Sequence, residues 1–177
     1  MSKNSIKQIE KDENKILHEL RKNANKSVND IAKTCGFSRQ KVWRVIKNLE
    51  KNHTIWGYTA VINQERLNKK RYLMLMRRSN KPISKEALKL ILSRELANEV
   101  KKTGLEIINS IYTNGLYDWI VCFDANNIIE AKGLVEKFNQ LFEGYIIETH
   151  LLEEMFSTVS GGIENPDIKQ LKNYFNV

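Results

Sequence analysis

Two short amphipathic helices joined by a tight turn dominate the first third of this 177-residue chain. Ser27, with Asp30 three residues further on, resembles a capping box that opens the first helix. Gly36 can adopt the left-handed backbone conformation that ends this helix. Ser38 then caps a second helix that continues to about Lys51. Two helices connected in this way are typical of a helix-turn-helix.

The segments on either side of this pair complete a small domain. The spacing of Ile16 and Leu20 predicts a preceding helix from Asp12 to Lys22. The segment 55–62 is rich in β-branched and aromatic residues, which predicts a short wing or hinge strand. Residues 1–62 are therefore interpreted as an N-terminal winged helix-turn-helix domain.

The helix that follows Ser38 has two chemically different sides. At about 100° per residue, its apolar side chains fall within an arc of roughly 100°. The opposite arc, roughly 140° wide, carries a different set of side chains, namely Arg39, Gln40, Trp43, Arg44, Lys47 and Lys51. Only Glu50 adds an acid near the end of that arc. Cations and amides hydrogen-bond to base edges and neutralise phosphates, so the arc predicts a helix that reads DNA.

The roles within this arc depend on position along the helix. Arg39 and Gln40 lie in the first turn and would reach deepest into a major groove, Arg39 toward guanine and Gln40 toward adenine. Arg44 and Lys47 could contact either a base or a phosphate. Trp43 could contact thymine methyl groups or fold back against the helix bundle.

The distribution of charge points in the same direction. Residues 1–70 carry 16 Lys and Arg against 7 Asp and Glu, a net charge of +9, whereas residues 71–177 have a net charge of −1. A basic unit joined to a nearly neutral one is the electrostatic footprint of a nucleic-acid binder with a second function. A solvated lysine-rich surface is the alternative explanation of the charge. Free backbone N–H groups at the helix starts capped by Ser27 and Ser38 are the expected phosphate anchors.

The C-terminal half has the hydrophobic pattern of an α+β domain. Its predicted elements are a buried strand at Tyr72–Met76, one long helix from Ser84 to Val100 closed by Gly104, strands at Glu106–Thr113 and Leu116–Phe123, a helix capped by Asn126 or Asn127 and ended by Gly144, and a strand from Tyr145 to about Phe156. Asn114-Gly115 is a strong signal for a tight hairpin turn. The order β-α-β-β-α-β indicates a ferredoxin-like domain.

The chain is thus predicted to be an α+β protein with two domains. Residues 63–71 are a polar linker, and residues 72–160 form the ferredoxin-like domain. Residues 161–177 are a C-terminal extension. Asn165 and Pro166 have the character of a helix cap and first helical position, so a short helix is expected there, packed against its own or a partner subunit.

A pattern of residues that spans the N-terminal domain resembles a known family. It comprises Ile9-Glu10-Lys11-Asp12, Ile16-Leu17, Asn23-Ala24, Ile31-Ala32, Gly36-Phe37-Ser38, Val42, Ile46, Leu49-Glu50 and Ile55-x-Gly57-Tyr58. The family is that of the feast/famine (Lrp/AsnC) regulators of prokaryotes, of the archaeal type. Val45 departs from the pattern, since the family often has arginine there. The resemblance implies a sequence-specific transcriptional regulator that binds double-stranded DNA.

The hairpin segment Gly115-Leu116-Tyr117-Asp118 is similar to the Gly-x-Tyr-Asp form of the family's C-terminal effector domain, called the RAM domain. The resemblance implies sheets that pair across a homodimer, dimers that assemble into tetramers or octamers, and an amino-acid-like effector between subunits. Gly115 and Asp118 are the effector-binding positions carried over. A carboxylate can hold an ammonium group, and glycine lets a ligand approach the backbone. Alternatively, Gly115 serves only the turn and Asp118 is an exposed strand residue.

An enzymatic function is the alternative to regulation. The histidines lack metal-ligand spacing, the cysteines lie far apart and no glycine-rich phosphate loop is present, so no catalytic residue, metal or cofactor is expected. Sirohaem-decarboxylase-like enzymes nevertheless resemble the same two-domain scaffold, and His150, Arg77 and Arg78 could bind a tetrapyrrole. A binder of double-stranded RNA is disfavoured, because a helix cannot enter the narrow major groove of RNA.

The expected location is the cytoplasm, in association with the nucleoid. No apolar run approaches the roughly 18 residues of a membrane span, so no membrane partner is expected. The polar N-terminus, Met1 to Asp12, lacks the apolar core of a signal peptide.

Overall fold

The computed structural model describes the backbone of residues 3–175 and the side chains of residues 6–175, and it divides into two units. The first, called the helical unit, contains the chain up to Val61 and again from Thr158 onward. The second, called the sheet unit, extends from Ile62 to Ser157. The chain therefore passes from the helical unit into the sheet unit and returns.

Three helices make up the centre of the helical unit: α1 (Lys3–Lys22), α2 (Val28–Cys35) and α3 (Arg39–Lys51). Their inward faces bury one cluster of apolar side chains, formed by Ile16, Ile31, Ala32, Val42 and Ile46. These residues recur at helical spacing, so burying them fixes which side of each helix faces inward.

Capping residues set the bounds of α2 and α3 where the sequence predicts them. The Ser27 hydroxyl oxygen accepts a hydrogen bond from the backbone N–H of Asp30 at 3.1 Å. The Ser38 hydroxyl oxygen accepts from the backbone N–H of Lys41 at 3.2 Å. Gly36 ends α2 with φ +69°, a left-handed conformation that costs glycine little. The predicted helix-turn-helix is confirmed.

The first helix differs from its prediction, because it begins at Lys3 rather than at Asp12. Asp12 is 7% exposed, and its carboxylate accepts hydrogen bonds from Lys41 Nζ at 2.5 Å and Gln8 Nε2 at 2.8 Å. The ammonium of Lys41 also lies 4.0 Å from the ring centroid of Phe37. Asp12 is therefore not an acid at a helix start but one side of an ion pair between α1 and α3.

The sheet unit contains four strands and three helices: β1 (Lys70–Arg78), α4 (Lys85–Leu92), α5 (Glu95–Lys102), β2 (Glu106–Tyr112), β3 (Trp119–Ala125), α6 (Ile128–Leu141) and β4 (Ile146–Glu153). The strands pair antiparallel in the order β2-β3-β1-β4. With helices after β1 and β3, this is the ferredoxin-like arrangement. The predicted α+β fold class is confirmed.

The core of the sheet unit lies on one face of the sheet. In β1, Tyr72, Met74 and Met76 are buried, while Leu73 and Leu75 between them are half-buried. The same face receives aromatic and aliphatic side chains from β3 and α6: Trp119, Val121, Phe123, Leu134 and Phe138. The apolar run predicted to be buried throughout therefore alternates, as expected for an antiparallel sheet covered on one side.

The predicted long helix after Ser84 is wrong, since it is broken into α4 and α5. Arg94 stands between them in a left-handed conformation, φ +61°. The break changes the direction of the chain, and α5 can then bury Leu96 and Val100 in the same core that receives Ala87 of α4. The backbone strain at Arg94 is thus compensated by packing that one straight helix would not provide.

The predicted tight turn at Asn114-Gly115 is also wrong, although β2 and β3 do form a hairpin. Gly115 is not among the glycines with positive φ. The loop instead spans residues 113–118 and is closed by the backbone N–H of Thr113, which donates to the carbonyl of Asp118 at 2.9 Å. The hydroxyl of Thr113 donates to the carbonyl of Tyr117. These bonds make a wider loop than a two-residue turn.

The linker and the C-terminal extension contain more regular structure than the sequence suggests. Residues Gln64–Leu67 of the predicted linker form a 3₁₀ helix. The extension forms a small hairpin, β5 (Val159–Ser160) and β6 (Ile163–Glu164). The short helix expected after Asn165 is a 3₁₀ helix, Ile168–Tyr174.

The wing or hinge strand expected between Ile55 and Ile62 is absent, because this described segment has no regular backbone pattern. Trp56 within it is 94% exposed. The only hairpin described in the helical unit is that of β5 and β6. Its turn residue Gly161 lies against Val61, since a Cβ added at Gly161 would stand 3.1 Å from Val61 Cγ2. Aromatic and β-branched residues alone did not specify a strand, since such a strand needs a pairing partner.

Across residues 3–175, none of the helices combines the length and the apolar character needed to span a bilayer.

Replacement of Asp12 by alanine should destabilise the protein by about 1–3 kcal/mol, because Lys41 and Gln8 lose a buried acceptor. The hydrogen bond from Lys41 lowers the pKa of Asp12 below its ordinary value of 3.8. The folded state therefore favours the charged carboxylate, and its contribution is present at neutral pH. It should be lost as the pH falls through the lowered pKa. Urea unfolding at neutral and acidic pH measures both effects.

Glu10→Ala is the matched control, since Glu10 is an exposed carboxylate on the same helix. Its effect should stay within about 0.5 kcal/mol. Equal destabilisation by both variants would contradict the role assigned to Asp12.

Candidate nucleic-acid interface

The structure brings the side chains of the predicted DNA-reading arc together on one exposed side of α3. All of them are exposed: Arg39, Gln40, Trp43, Arg44, Lys47 and Lys51. The opposite side of the same helix is buried through Val42, Ile46 and Leu49. Because packing fixes one side against α1 and α2, the polar side has to face outward.

An open groove of about 670 Å³ lies beside the start of α3. Its lining comes from one residue of α2 and from the first turns of α3: Val28, Ser38, Arg39, Gln40, Lys41, Trp43 and Arg44. Trp43 is 57% exposed, so much of its indole faces this open space rather than the helix bundle. Lys41 is held by Asp12, as described above. Arg39 and Arg44 are therefore the cations that the groove leaves free for an anionic partner.

The two serine-capped helix starts are not equivalent, a difference that the sequence did not reveal. At α2, the carboxylate of Asp30 lies in the first turn and accepts a hydrogen bond from the Ser27 hydroxyl at 2.5 Å. An anion of the protein itself therefore occupies the positive end of that helix. The first turn of α3 contains no acid, and its first N–H groups lack partners within the helix. The α3 start is the better phosphate anchor.

Further along α3, an acid pairs with one cation of the arc. Glu50 Oε2 lies 2.7 Å from Lys47 Nζ, and Glu50 Oε1 accepts a hydrogen bond from the Tyr58 hydroxyl at 3.1 Å. The contact with Lys47 is the main cause that lowers the pKa of Glu50. Burial, reinforced by Glu50, raises the pKa of Tyr58. The spacing of Lys47 and Glu50 could have indicated the pair, whereas the contact with Tyr58 depends on the tertiary structure.

The predicted effector residues lie in the wide loop between β2 and β3. Gly115 is exposed and Asp118 is half-buried. The Asp118 carboxylate accepts hydrogen bonds from the backbone N–H of Arg78 at 2.9 Å and from its Nε at 3.1 Å. Hydrogen bonds to Tyr145 and Asp118 raise the pKa of Arg78. Asp118 is therefore joined to a cation that sequence reasoning had not connected with it.

The residues of the tetrapyrrole alternative are each paired with an acid. Arg77 Nη1 lies 2.6 Å from Glu148 Oε2, and His150 Nε2 lies 2.9 Å from Glu148 Oε1. Arg77 is the main cause that lowers the pKa of Glu148. The carboxylate groups of a tetrapyrrole would have to compete with Glu148 for these two side chains and with Asp118 for Arg78.

Comparison with known families supports the assignment of the helices. Residues 13–55 match the family described as winged helix-turn-helix DNA-binding. The match covers α2 and α3 completely, together with the second half of α1. No curated protein sequence matches this chain.

Solved structures of bacterial regulators have the same fold. The AsnC family transcriptional regulator from Agrobacterium tumefaciens is 20% identical, with a TM-score of 0.63 over 88% of this chain and 96% of that one. The leucine response regulatory protein of Mycobacterium tuberculosis is 13% identical, with a TM-score of 0.66 over 85% and 94%. The regulator NMB0573 from Neisseria meningitidis, solved in complex with L-Met, is 14% identical, with a TM-score of 0.63 over 85% and 92%. The expected two-domain fold is confirmed, and the resemblance to Lrp/AsnC regulators is supported.

The two sides of α3 should respond differently to truncation. Trp43→Ala on the exposed side should change the free energy of unfolding by no more than about 0.5 kcal/mol. Leu49→Ala on the buried side, where the side chain is 1% exposed, should cost about 2–5 kcal/mol because it opens a cavity. Urea unfolding of both variants measures the difference, and a large loss for Trp43→Ala would mean that the indole belongs to the core.

Proposed function

We propose that this chain, which has the fold of AsnC and leucine-responsive regulators, is a sequence-specific DNA-binding transcriptional regulator of that kind. The observation that carries the proposal is the exposed side of α3, where Arg39 and Arg44 stand free of the acids that hold Lys41 and Lys47. Arg39 can hydrogen-bond to guanine, and Gln40 next to it can hydrogen-bond to adenine. The family match over residues 13–55 supports the same function.

In the proposed mechanism, a homodimer inserts two copies of α3 into successive major grooves about one helical turn apart. Arg39 and Gln40 contact base edges, and Trp43 contacts the methyl groups of thymine. The backbone N–H groups at the start of α3 bind a phosphate, and Arg44 and Lys51 neutralise others. Residues 1–62 perform the DNA reading.

Residues 72–160 are proposed to form the dimer and to bind an effector, with residues 63–71 as the linker. The half-buried face of the sheet, which includes Leu73 and Leu75, offers an apolar surface for a second copy. Dimers assemble further into tetramers or octamers. The protein acts in the cytoplasm, on the nucleoid.

The proposed effector is a small amino-acid-like molecule. The Neisseria regulator with a similar fold was solved with L-Met. Asp118 and Arg78 present opposite charges side by side, with Nε and Oδ1 at 3.1 Å. Such a pair can exchange its internal contact for the ammonium and carboxylate groups of one zwitterion. Gly115 in the same loop leaves room for the ligand.

The regulator is favoured over a sirohaem-decarboxylase-like enzyme. Structures with this fold include proteins named as transcriptional regulators. A free cationic side on α3 has a use in DNA binding and none in tetrapyrrole chemistry, whereas Arg77 and His150 share the carboxylate of Glu148. A purified protein without bound pigment would agree with this choice.

Selection from a pool of random duplexes tests the proposal. We expect the retained DNA to share a two-fold symmetric motif, because a homodimer presents two identical helices. Retention of all sequences equally at moderate salt, or of none, would contradict sequence-specific binding.

The double variant Arg39→Ala/Arg44→Ala should lose about 2 kcal/mol or more of binding energy for the selected site, since a good base contact such as that of Arg39 contributes about 1–3 kcal/mol and the phosphate contact of Arg44 is lost as well. Lys169→Ala/Lys172→Ala removes the same charge from exposed positions of the C-terminal 3₁₀ helix and should weaken binding far less. Fluorescence anisotropy with a labelled duplex measures both. If the arginine variant bound with unchanged affinity, α3 would not be the helix that reads DNA.

A further inference from the structure

We propose that Glu50 restrains Lys47 from binding phosphate and so limits the affinity of α3 for DNA of any sequence. The inference rests on the proposed function and goes beyond it, because it assigns a role in recognition to an acid on the DNA-facing side of the helix. Its basis is the arrangement of Lys47, Glu50 and Tyr58 at the C-terminal end of α3.

The position of the Glu50 carboxylate is fixed from two directions. Lys47 Nζ lies 2.7 Å from one oxygen, and the Tyr58 hydroxyl donates to the other at 3.1 Å. Tyr58 comes from the irregular segment that follows α3 and not from the helix itself. The carboxylate therefore stays beside Lys47 and cannot rotate away without losing a second hydrogen bond.

The consequence is a division among the cations of the arc. Arg39 and Arg44 are free of acids and line the groove beside the start of α3, where first-turn residues such as Arg39 reach base edges. Near its end, Lys47 is neutralised by Glu50. Phosphate contacts raise affinity for every sequence alike, whereas base contacts distinguish sequences. An acid that neutralises a lysine near the helix end thus lowers affinity for DNA of every sequence and leaves the base contacts at the helix start unchanged.

The test uses Glu50→Gln in the full-length protein, with binding to a random duplex and to the selected site measured between 50 and 200 mM salt. If Lys47 is released to neutralise one more phosphate, the slope of log affinity against log salt on the random duplex should steepen by about 0.9. The gain over the wild type should then be about 3.5-fold larger at 50 than at 200 mM. The ratio of specific to non-specific affinity should stay the same, because a phosphate contact raises both affinities alike.

Two further variants show whether Lys47 causes the steeper salt dependence of Glu50→Gln. In Lys47→Gln/Glu50→Gln the released lysine is absent, so the slope should return to that of the wild type or below it. Glu10→Gln removes one negative charge from an exposed position on α1 and should leave the slope unchanged. Circular dichroism of each variant checks that the helices are retained.

The outcomes separate this inference from the proposed function. An unchanged slope for Glu50→Gln, or the same steepening with and without Lys47, would overturn the role of Glu50 while DNA binding stands. Failure of the wild type to bind any duplex would overturn both.

Discussion

The burial of one apolar stripe across three helices is the interaction on which the exposed cationic side of α3 depends. Ile16 of α1, Ile31 of α2 and Val42 of α3 are fully buried in a single cluster. Once Val42 and its helical neighbours face inward, the remaining side of α3 must face solvent, whatever residues it carries. The ion pair between Asp12 and Lys41 adds a directional contact to this packing, because apolar contacts alone allow a helix to rotate by small amounts.

Pairing, rather than the number of charges, distinguishes the cations of α3. Lys41 and Lys47 each have an acid within 2.7 Å, whereas the structure described for residues 6–175 places no ion pair at Arg39 or Arg44. Pairing also limits a cation of the sheet unit. Arg71 donates two hydrogen bonds to the buried carboxylate of Asp124, so this arginine stabilises the fold and is not available to bind a ligand. On the exposed side of α3, Arg39 and Arg44 are therefore available to a partner, whereas Lys47 is paired with Glu50.

Features decided within a few residues could be predicted from the sequence. The caps at Ser27 and Ser38 and the left-handed Gly36 depend on neighbours along the chain, and the period of the apolar residues determined the exposed side of α3. Features that depend on distant partners could not. The partner of Asp12 is 29 residues away, the break at Arg94 follows from packing under the sheet, and the segment after α3 formed no strand because no partner strand was available. Within the site, the pairing of Glu50 with Tyr58 and of Asp118 with Arg78 was missed for the same reason.

The path of the chain makes the sheet unit an insertion within the helical unit, entered after Val61 and left before Thr158. A fragment that ends at Val61 would lack the hairpin whose Gly161 lies against that residue, so it would expose a surface that the full chain covers. Cleavage of one connection would leave the two units joined by the other. A change of conformation in the sheet unit can therefore reach the helical unit through two covalent connections rather than one.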